Sequence, residues 1–175
     1  MEKKNINLND YIVQVENFPV RGVTFSDISK LIECGASFSY AVDELVKFAR
    51  PLNPTKIVGI EARGFLFGTP IAYQLGIGFA SIRKPNKLPR VTVTALANIE
   101  YGKRELSIHR DSLEPGEKVV IVDDILATGG SVRAAIELVN QLKANVVGIC
   151  FLGRIASFKG DKILTDYKNK WLIDL

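Results

Sequence analysis

Residues 119–135 read VVIVDDILATGGSVRAA, and their pattern is the clearest structural signal in the chain. Four apolar β-forming residues, Val119 to Val122, run into the adjacent acids Asp123 and Asp124. A turn of small residues follows, and an alanine-containing pattern typical of a helix comes after it. The stretch therefore predicts a buried strand, a polar turn and a helix.

Two other apolar runs resemble this strand, KIVGI at 56–60 and NVVGICFL at 145–152. Runs that are apolar on both faces are typical of strands covered on both sides of a sheet. Strands and helical patterns alternate along the chain, which predicts an α/β domain with a mostly parallel central sheet flanked by helices. The 175 residues supply one core, so we expect a single domain over 1–175.

The remaining elements follow from apolar spacing and turn signals. Helices are predicted at 36–50, 64–75 and 130–143, and further strands at 78–83, 106–110 and 117–123. Residues 8–15 predict a short helix and the turn-rich 18–29 a loop. The polar, proline-marked 84–105 predicts a mobile loop or a hairpin, and 170–175 an edge strand.

Composition excludes several classes of protein. Lysine and arginine outnumber the acids by 23 to 19, and this mild excess is spread along the chain as on a mixed, solvated surface. Cys34 and Cys150 match no metal or disulfide spacing, so we expect two buried thiols in a reducing compartment. The first residues lack an apolar leader, and no apolar run reaches membrane-spanning length. We therefore expect a cytoplasmic protein that binds neither membrane nor nucleic acid.

Charged residues follow three of the predicted strands. Asp123 and Asp124 end one, Glu61 to Gly64 follow the second, and Arg83 with Lys84 follow the third. The carboxyl ends of parallel strands meet at one edge of a sheet, where ligands bind in such folds. We therefore expect these groups to face solvent around one site.

The small residues Ala127 to Ser131 favour a phosphate, because their N–H groups lie at the start of a helix. A tight turn and an ordinary helix cap would explain the glycines alone. Carboxylates beside a phosphate would repel it unless they contact sugar hydroxyls or a metal. A ribose phosphate with Mg²⁺ supplies a phosphate for the small-residue turn, and hydroxyls and a metal for the two acids. No G-x-G-x-x-G is present and no lysine follows the glycines, which disfavours a dinucleotide fold and a P-loop.

The two acids and ATGGS resemble the motif that binds 5-phosphoribosyl-1-diphosphate (PRPP) in type I phosphoribosyltransferases. Five further stretches resemble the adenine-specific members of that family: FPVRGVTFSDIS (18–29), GIEARGFLFG (59–68), IRKPNKLP (82–89), IEYGKREL (99–106) and SFKGDK (157–162). The resemblance implies a type I fold with a small N-terminal hood, about residues 1–35, over the base. It also implies purine salvage, in which adenine and PRPP give AMP and pyrophosphate, with Mg²⁺ held mainly by PRPP oxygens.

The resemblance assigns PRPP to most of the charged edge. The 5′-phosphate would lie on Ala127, Thr128, Gly129, Gly130 and Ser131, and the ribose hydroxyls on Asp123 and Asp124. The remaining PRPP-binding residues would be Glu61, Ala62, Arg63, Arg83, Lys84, Lys87 and Tyr101. Of these, the peptide between Glu61 and Ala62 is cis in the family, the two lysines neutralise the leaving pyrophosphate, and Arg83 reaches a neighbouring subunit, which implies a homodimer.

The base would be held by Val23, Thr24, Phe25 and Arg63, with the Thr24 backbone reading the adenine edge. Stacking on the base is the role implied for Phe25, although the residues alone fit core packing equally well. Glu100 would take the proton from purine N7 as N9 attacks the sugar. Without the resemblance, Glu100 is interpreted as a solvated loop acid.

Four positions depart from the family pattern: Ser26, where arginine is usual, Asn86, where glycine is common, Ala97, often tyrosine, and Arg154, where an acid is expected. Two alternative functions stay open. One is transfer to another purine: hypoxanthine, guanine or xanthine. The other is a non-catalytic PRPP-sensing regulator, against which the sequence has no helix-turn-helix pattern and no basic stripe.

Overall fold

The computed structural model describes residues 6–99 and 102–175. The strands in chain order are β1 (Val13–Glu16), β2 (Thr24–Asp27), β3 (Lys56–Ile60), β4 (Gly78–Ile82), β5 (Thr92–Ile99), β6 (Gly102–His109), β7 (Lys118–Leu126), β8 (Asn145–Arg154) and β9 (Asn169–Asp174). The helices are α1 (Ser29–Glu33), α2 (Gly35–Ala49), α3 (Gly64–Leu75) and α4 (Gly130–Gln141). Short 3₁₀ turns lie at Leu8–Tyr11, Arg50–Leu52, Ala156–Phe158 and Gly160–Leu164.

The central sheet has the strand order β4-β3-β7-β8-β9, and every neighbouring pair in it is parallel. The prediction of an α/β domain with a mostly parallel sheet is confirmed. The strand of the opening sequence, β7, lies in the middle of the sheet, and the C-terminal strand β9 lies at its edge as predicted. Successive residues of β7 point to opposite faces of the sheet, so the apolar run is buried on both.

Two apolar cores cover the sheet, one on each face. Helices α1, α2 and α3 pack on one face, where Val120 and Val122 of β7 point. Helix α4 and the β5–β6 pair pack on the other face, against Val119 and Ile121. Cys150 lies in the first core and its burial raises its pKa to about 12, whereas Cys34 is only partly buried. No helix of the described residues is long and apolar enough to cross a membrane.

Two antiparallel hairpins lie outside the central sheet. One joins β1 with β2 before α1, and the other joins β5 with β6 between β4 and β7. The prediction of a helix over 8–15 was wrong beyond Tyr11, and the predicted loop at 18–29 contains β2, which pairs with β1. The segment 84–105 was predicted as a loop or a hairpin, and β5 pairs with β6 there. Reciprocal backbone hydrogen bonds between Arg83 and Ser107, of 2.9 and 2.8 Å, fasten this second hairpin to the end of β4.

Candidate active site

Three neighbouring cavities line the carboxyl edge of the sheet, where β3, β4, β7 and β8 end. Their lining residues include most of those that the sequence singled out. Shared residues connect them: Ala127 lines the first and second, and Arg63 the second and third. The predicted site residues therefore line three adjoining compartments, which together form the cleft described below.

The first compartment is the loop between β7 and α4. It encloses about 120 Å³ and is lined by Asp123, Ile125, Leu126, Ala127, Thr128, Gly129, Gly130, Ser131, Val132 and Phe151. Gly129 has a φ of +83°, a left-handed conformation that glycine adopts without a steric penalty. This conformation turns the chain at the start of α4, so that Gly130, Ser131 and Val132 of its first turn line the cavity. The Gly130 N–H donates to Oγ1 of Thr128 at 3.4 Å.

Gly160, on the segment that follows β8, packs directly on this loop. A side chain at Gly160 would collide with the carbonyl oxygen of Ala127 and would lie 3.0 Å from the nitrogen of Gly129. Conversely, a side chain at Gly129 would collide with Ile163 and would lie 3.2 Å from the oxygen of Gly160. The phosphate-loop backbone is thus held from behind by a second backbone, with glycine on both sides of the contact.

The two acids of β7 differ in their surroundings. The strand continues to Leu126, so neither acid ends it, and Asp124 is buried with 7% of its surface exposed. The expectation that both carboxylates face solvent was therefore wrong for Asp124. Its Oδ2 lies 2.5 Å from Nε of Arg63 in an ion pair, yet this oxygen accepts no aligned hydrogen bond from the described residues. A buried acceptor without a donor is suited to a hydroxyl of a ligand.

Asp123 is partly exposed at the surface of the cleft. Burial of its carboxyl and the neighbouring Asp124 charge raise the pKa of Asp123 well above its ordinary value. Its Oδ1 accepts the backbone N–H of Asp124 at 2.9 Å. The start of α3 lies against it, because a side chain at Gly64 would be 3.0 Å from Asp123 Oδ1 and 2.7 Å from the Val122 oxygen. Glycine at position 64 therefore lets the β3–α3 turn reach the acids.

The β3–α3 turn carries the predicted cis peptide, between Glu61 and Ala62. The Glu61 carboxylate accepts from Nη2 of Arg83 at 3.0 Å and from the backbone N–H of Lys84 at 2.9 Å. The hydrogen bond from Arg83 is the main reason why the pKa of Glu61 is lowered. Within this chain Arg83 thus joins β4 to the β3–α3 turn, while its buried Nε has no hydrogen-bond partner among the described residues.

The third compartment lies between this turn and the acids of β7. It encloses about 320 Å³ and is lined by Ile60, Glu61, Ala62, Arg63, Lys84, Arg104, Leu106, Asp123, Asp124, Ile125 and Ser131. Sequence reasoning missed Arg104, since it lies in the segment 84–105 that was interpreted as a loop or a hairpin without a register. The pairing of β6 with β5 is the signal that would have placed Arg104 toward the cleft.

The second compartment encloses about 470 Å³ between the β1–β2 hairpin and the segment after β8. It is lined by Gly22, Val23, Thr24, Phe25, Ser26, Arg63, Ile125, Ala127, Ile155, Ser157 and Phe158. The Arg63 guanidinium carbon lies 4.9 Å from the centre of the Phe25 ring, and Phe18 meets that ring edge-on at 5.2 Å. Phe25 is therefore held in the pocket wall and does not lie in the main core. Phe158 was not predicted.

The four departures from the family pattern have distinct surroundings. Ser26 is buried, with 7% of its surface exposed, and its hydroxyl donates to Oε1 of Gln14 on the paired strand at 3.1 Å. Asn86 has a φ of +61°. Ala97 is buried within β5. Arg154 forms ion pairs of 3.2 Å with Asp161 and 2.8 Å with Asp174, and stacks 4.2 Å over the Trp171 ring.

The last predicted residues divide into two groups. Lys87 is exposed and lines none of the three compartments, and its backbone oxygen accepts from Nη1 of Arg83 at 3.3 Å. Glu100 and Tyr101 lie outside the described residues, between the ends of β5 and β6. The roles of both residues stay predictions.

The described residues contain no group of three or more histidine, cysteine or acidic side chains placed to hold a metal. Two adjacent carboxylates, one of them ion-paired with Arg63, fit hydroxyls or the outer waters of a hydrated cation better than a closed protein cage. The expectation that PRPP oxygens carry most of the Mg²⁺ coordination stays a prediction.

The chain is similar to known proteins. A family model described as phosphoribosyl transferase domain matches residues 36–173. The chain is 49% identical over 165 residues to an adenine phosphoribosyltransferase of Oenococcus oeni, and the match covers 94% of each chain.

Solved structures agree with the sequence relatives. The crystal structure of an adenine phosphoribosyltransferase from Thermoanaerobacter pseudethanolicus is similar with a TM-score of 0.92 at 40% identity, covering 97% of this chain and 100% of that one. The enzyme from Saccharomyces cerevisiae, solved with an imino-altritol bisphosphate and adenine, is similar with a TM-score of 0.87 at 37% identity, covering 94% and 95%.

Proposed function

The chain belongs to the phosphoribosyl transferase family and, within it, to the adenine phosphoribosyltransferases, and on that premise we propose how its cleft transfers a phosphoribosyl group from PRPP to adenine. The observation that carries the proposal is that three compartments adjoin at one edge of the sheet and offer separate places for a phosphate, a charged diphosphate and a flat base. The products are AMP and pyrophosphate, and the reaction serves purine salvage.

The 5′-phosphate of PRPP binds in the loop of Ala127, Thr128, Gly129, Gly130 and Ser131. The N–H groups at the start of α4 donate to its oxygens, and the helix dipole favours its charge. Asp123 and Asp124 accept the ribose hydroxyls, and Oδ2 of Asp124, which is ion-paired with Arg63 but accepts no aligned hydrogen bond from the described residues, is one such acceptor. These contacts fix the sugar with its anomeric carbon between the other two compartments.

The diphosphate lies in the third compartment, against the Glu61–Ala62 turn, Arg63 and Lys84. Mg²⁺ bound mainly by PRPP oxygens would neutralise charge on the leaving group there. Arg83 acts through Glu61, because its Nη2 donates to Oε1 of Glu61 at 3.0 Å and so offsets the charge of a carboxylate that lines the compartment. Lys87 supplies a cation at the rim of the cleft.

Adenine lies in the second compartment between Phe25 and the opposite wall, with the backbone of Val23 and Thr24 at its edge. The bond from C1′ to the diphosphate oxygen breaks, and the pyrophosphate leaves with the electron pair. N9 of adenine bonds to C1′ while Glu100 takes the proton from N7. The positioning of the two substrates supplies much of the rate, because it makes the attack effectively intramolecular.

About residues 1–35, including the β1–β2 hairpin, act as the hood over the base within a single domain. The active form is a cytoplasmic homodimer. Leu66 and Tyr73 of α3 support this association, since 41% and 87% of their surfaces are exposed in the single chain and are available for a partner subunit. Size-exclusion chromatography with light scattering tests it, and a monomer at micromolar concentration contradicts it.

The function is tested by incubating the purified protein with PRPP, Mg²⁺ and one purine base at a time. We expect AMP and pyrophosphate from adenine, with kcat/KM for hypoxanthine and guanine lower by several orders of magnitude, because a site with fixed buried polar groups can discriminate by about 10⁴–10⁵. A preference for a 6-oxopurine would overturn the base assignment, and PRPP binding without turnover of any base would favour the sensor.

A further inference from the structure

We propose that Arg104 binds the diphosphate of PRPP and the pyrophosphate product, and that the small residue opposite it, Ala97, makes the space for its side chain. The inference rests on the proposed function and adds a residue that the sequence had not assigned. The geometry behind it is that Arg104 lines the third compartment together with Arg63 and Lys84.

The inward direction of Arg104 follows from the strand to which it belongs. Alternate residues of a strand point to the same face, so Arg104 shares its face of β6 with Leu106 and Ile108. Both of those residues are buried in the core that lies under the hairpin. An arginine on the opposite face of β6 would point to solvent and would indicate no role in the cleft. Arg104 instead lies on the same face as these two core residues, at the end of the row where the third compartment begins.

Ala97 is the cross-strand partner of Arg104 and is fully buried. Directly opposed side chains in an antiparallel pair lie close enough to compete for the same space. Because alanine is small, the Arg104 side chain can cross over it into the compartment. A larger residue at position 97 would occupy that path.

The charges of the compartment explain why a further cation is useful there. Three acids line it, Glu61, Asp123 and Asp124, and two of these already hold partners: Arg83 pairs with Glu61 and Arg63 with Asp124. Lys84 and Arg104 form no ion pair with the described acids. Among the described residues of this compartment, these two are therefore the cations whose charge no acid already offsets.

An arginine suits this ligand for a geometric reason as well. Its planar guanidinium can donate two parallel N–H bonds to the oxygens of one phosphate, whereas a lysine acts as a point charge. The contact is made with the diphosphate in both the substrate and the product. We therefore expect Arg104 to act on PRPP and pyrophosphate affinity and to leave adenine affinity unchanged.

The test compares Arg104→Ala, Arg104→Lys and the wild type. We expect Arg104→Ala to raise both KM for PRPP and the inhibition constant of pyrophosphate about tenfold, the size of a lost hydrogen bond to a charged group. Arg104→Lys should recover part of the loss, and KM for adenine should not change. Arg110→Ala is the matched control, since Arg110 follows the same strand, is exposed and lines none of the three compartments. Unchanged pyrophosphate inhibition in Arg104→Ala would overturn the proposal.

The role of Ala97 is tested by Ala97→Leu, alone and combined with Arg104→Ala. If Ala97 acts by leaving room for Arg104, its substitution weakens pyrophosphate inhibition in the wild-type background and adds little when Arg104 is absent. Equal effects in both backgrounds would refute this part. Calorimetric titration of the protein with pyrophosphate and Mg²⁺ keeps the inference separate from the proposed function, because it measures the Arg104 contact even if no purine is turned over.

Discussion

The phosphate loop, residues 127–131, and the β1–β2 hairpin face each other across the cleft, but different parts of the chain hold them in place. The phosphate loop is fixed by main chain packed on main chain, where Gly160 leaves no space for a side chain against Ala127. The hairpin lies outside the central sheet, and side-chain contacts such as the Ser26–Gln14 hydrogen bond and the Phe18–Phe25 contact add to the backbone pairing of β1 with β2.

We call the loop 127–131 with Gly160 behind it the phosphate half of the cleft, and the β1–β2 hairpin its base half. The difference between them indicates which substitutions each half can tolerate. A backbone contact without spare volume fails with the addition of one methyl group, because packed protein cannot absorb it locally. A side-chain contact can be replaced by another of similar size. The arginine usual at position 26 in the resembling family is replaced here by a serine that finds its own partner across the hairpin. We therefore expect changes in the phosphate half to act on PRPP and changes in the base half to act on adenine.

The largest effect is expected from Glu100→Ala, which tests whether chemistry separates from both binding halves. Loss of the group that takes the N7 proton should lower kcat about 10²–10⁴-fold while KM for PRPP and adenine stay nearly constant. Steady-state kinetics with each substrate varied measure this, with Glu105→Gln on the adjoining strand as a control. A wild-type kcat would make Glu100 a solvated loop acid after all.

Next in size is Gly160→Ala, the direct test of the backbone contact. Overpacking of this kind costs about 1–3 kcal/mol. If the loop distorts to relieve it, KM for PRPP rises about 5- to 150-fold, since about 1.4 kcal/mol corresponds to tenfold. KM for adenine should change much less.

Gly35→Ala is the control for this substitution, because a side chain at Gly35 would meet nothing within 4 Å. That variant should bind PRPP as the wild type does and should be at least as stable. If Gly160→Ala were equally silent, the phosphate loop would have room to adjust, and the contrast between the two halves would disappear.

A third experiment compares the electrostatics of the halves by replacing one acid in each. Burial raises the pKa of Asp123, so the folded protein binds the carboxyl proton of Asp123 more tightly than the unfolded chain does. The folded state is therefore destabilised as the pH rises above 3.8, the ordinary pKa of this acid, because Asp123 must then ionise in a buried place. Asp27, beside the base half, has the opposite shift: hydrogen bonds from the Ser29 hydroxyl and N–H lower its pKa. Its charge therefore stabilises the fold at neutral pH.

We expect Asp123→Asn to raise Tm at pH 7 by a few degrees, at about 2–4 °C per kcal/mol, while PRPP use falls. The gain should shrink as pH falls toward 3.8, the ordinary value for this acid. Asp27→Asn should lower Tm at pH 7, and that loss should vanish in acid. Thermal unfolding across pH measures both variants, and shifts of the same sign would contradict this electrostatic contrast.

The sequence predicted the phosphate half better than the base half, for a physical reason. Apolar runs covered on both faces and a glycine turn are local signals, so β3, β7, α3 and the site residues from Asp123 to Ser131 could be identified directly. The hairpins depend on pairing between distant residues, and 18–29 has turn residues that conceal β2. The register of β5 with β6 was equally hidden, and with it the direction of Arg104.

The burial of residues at the site could not be predicted from the sequence either. Two acids after an apolar run suggest solvent, yet the strand continues through Asp124, and Arg63 from another strand end supplies its partner. Gly160 lies some thirty residues after the loop that it supports, so no spacing rule links the two. Such contacts are long-range consequences of the sheet order.

The smallest effect is expected from Ser26, where the base half should show its tolerance. The hydroxyl donates to Gln14, and a neutral hydrogen bond of this kind contributes about 0.5–1.5 kcal/mol. Ser26→Ala and Gln14→Ala should each raise KM for adenine about 2- to 10-fold and leave KM for PRPP unchanged. The double variant should raise KM for adenine no more than either single one, since both remove the same contact.

Ser26→Arg would bury a guanidinium in the pocket that Arg63 already lines, so it should weaken adenine binding and not improve it. If Ser26→Arg instead raised kcat/KM for adenine, the hairpin would be held less firmly by Gln14 than the 3.1 Å contact indicates, and the base half would depend on a charge that this chain lacks.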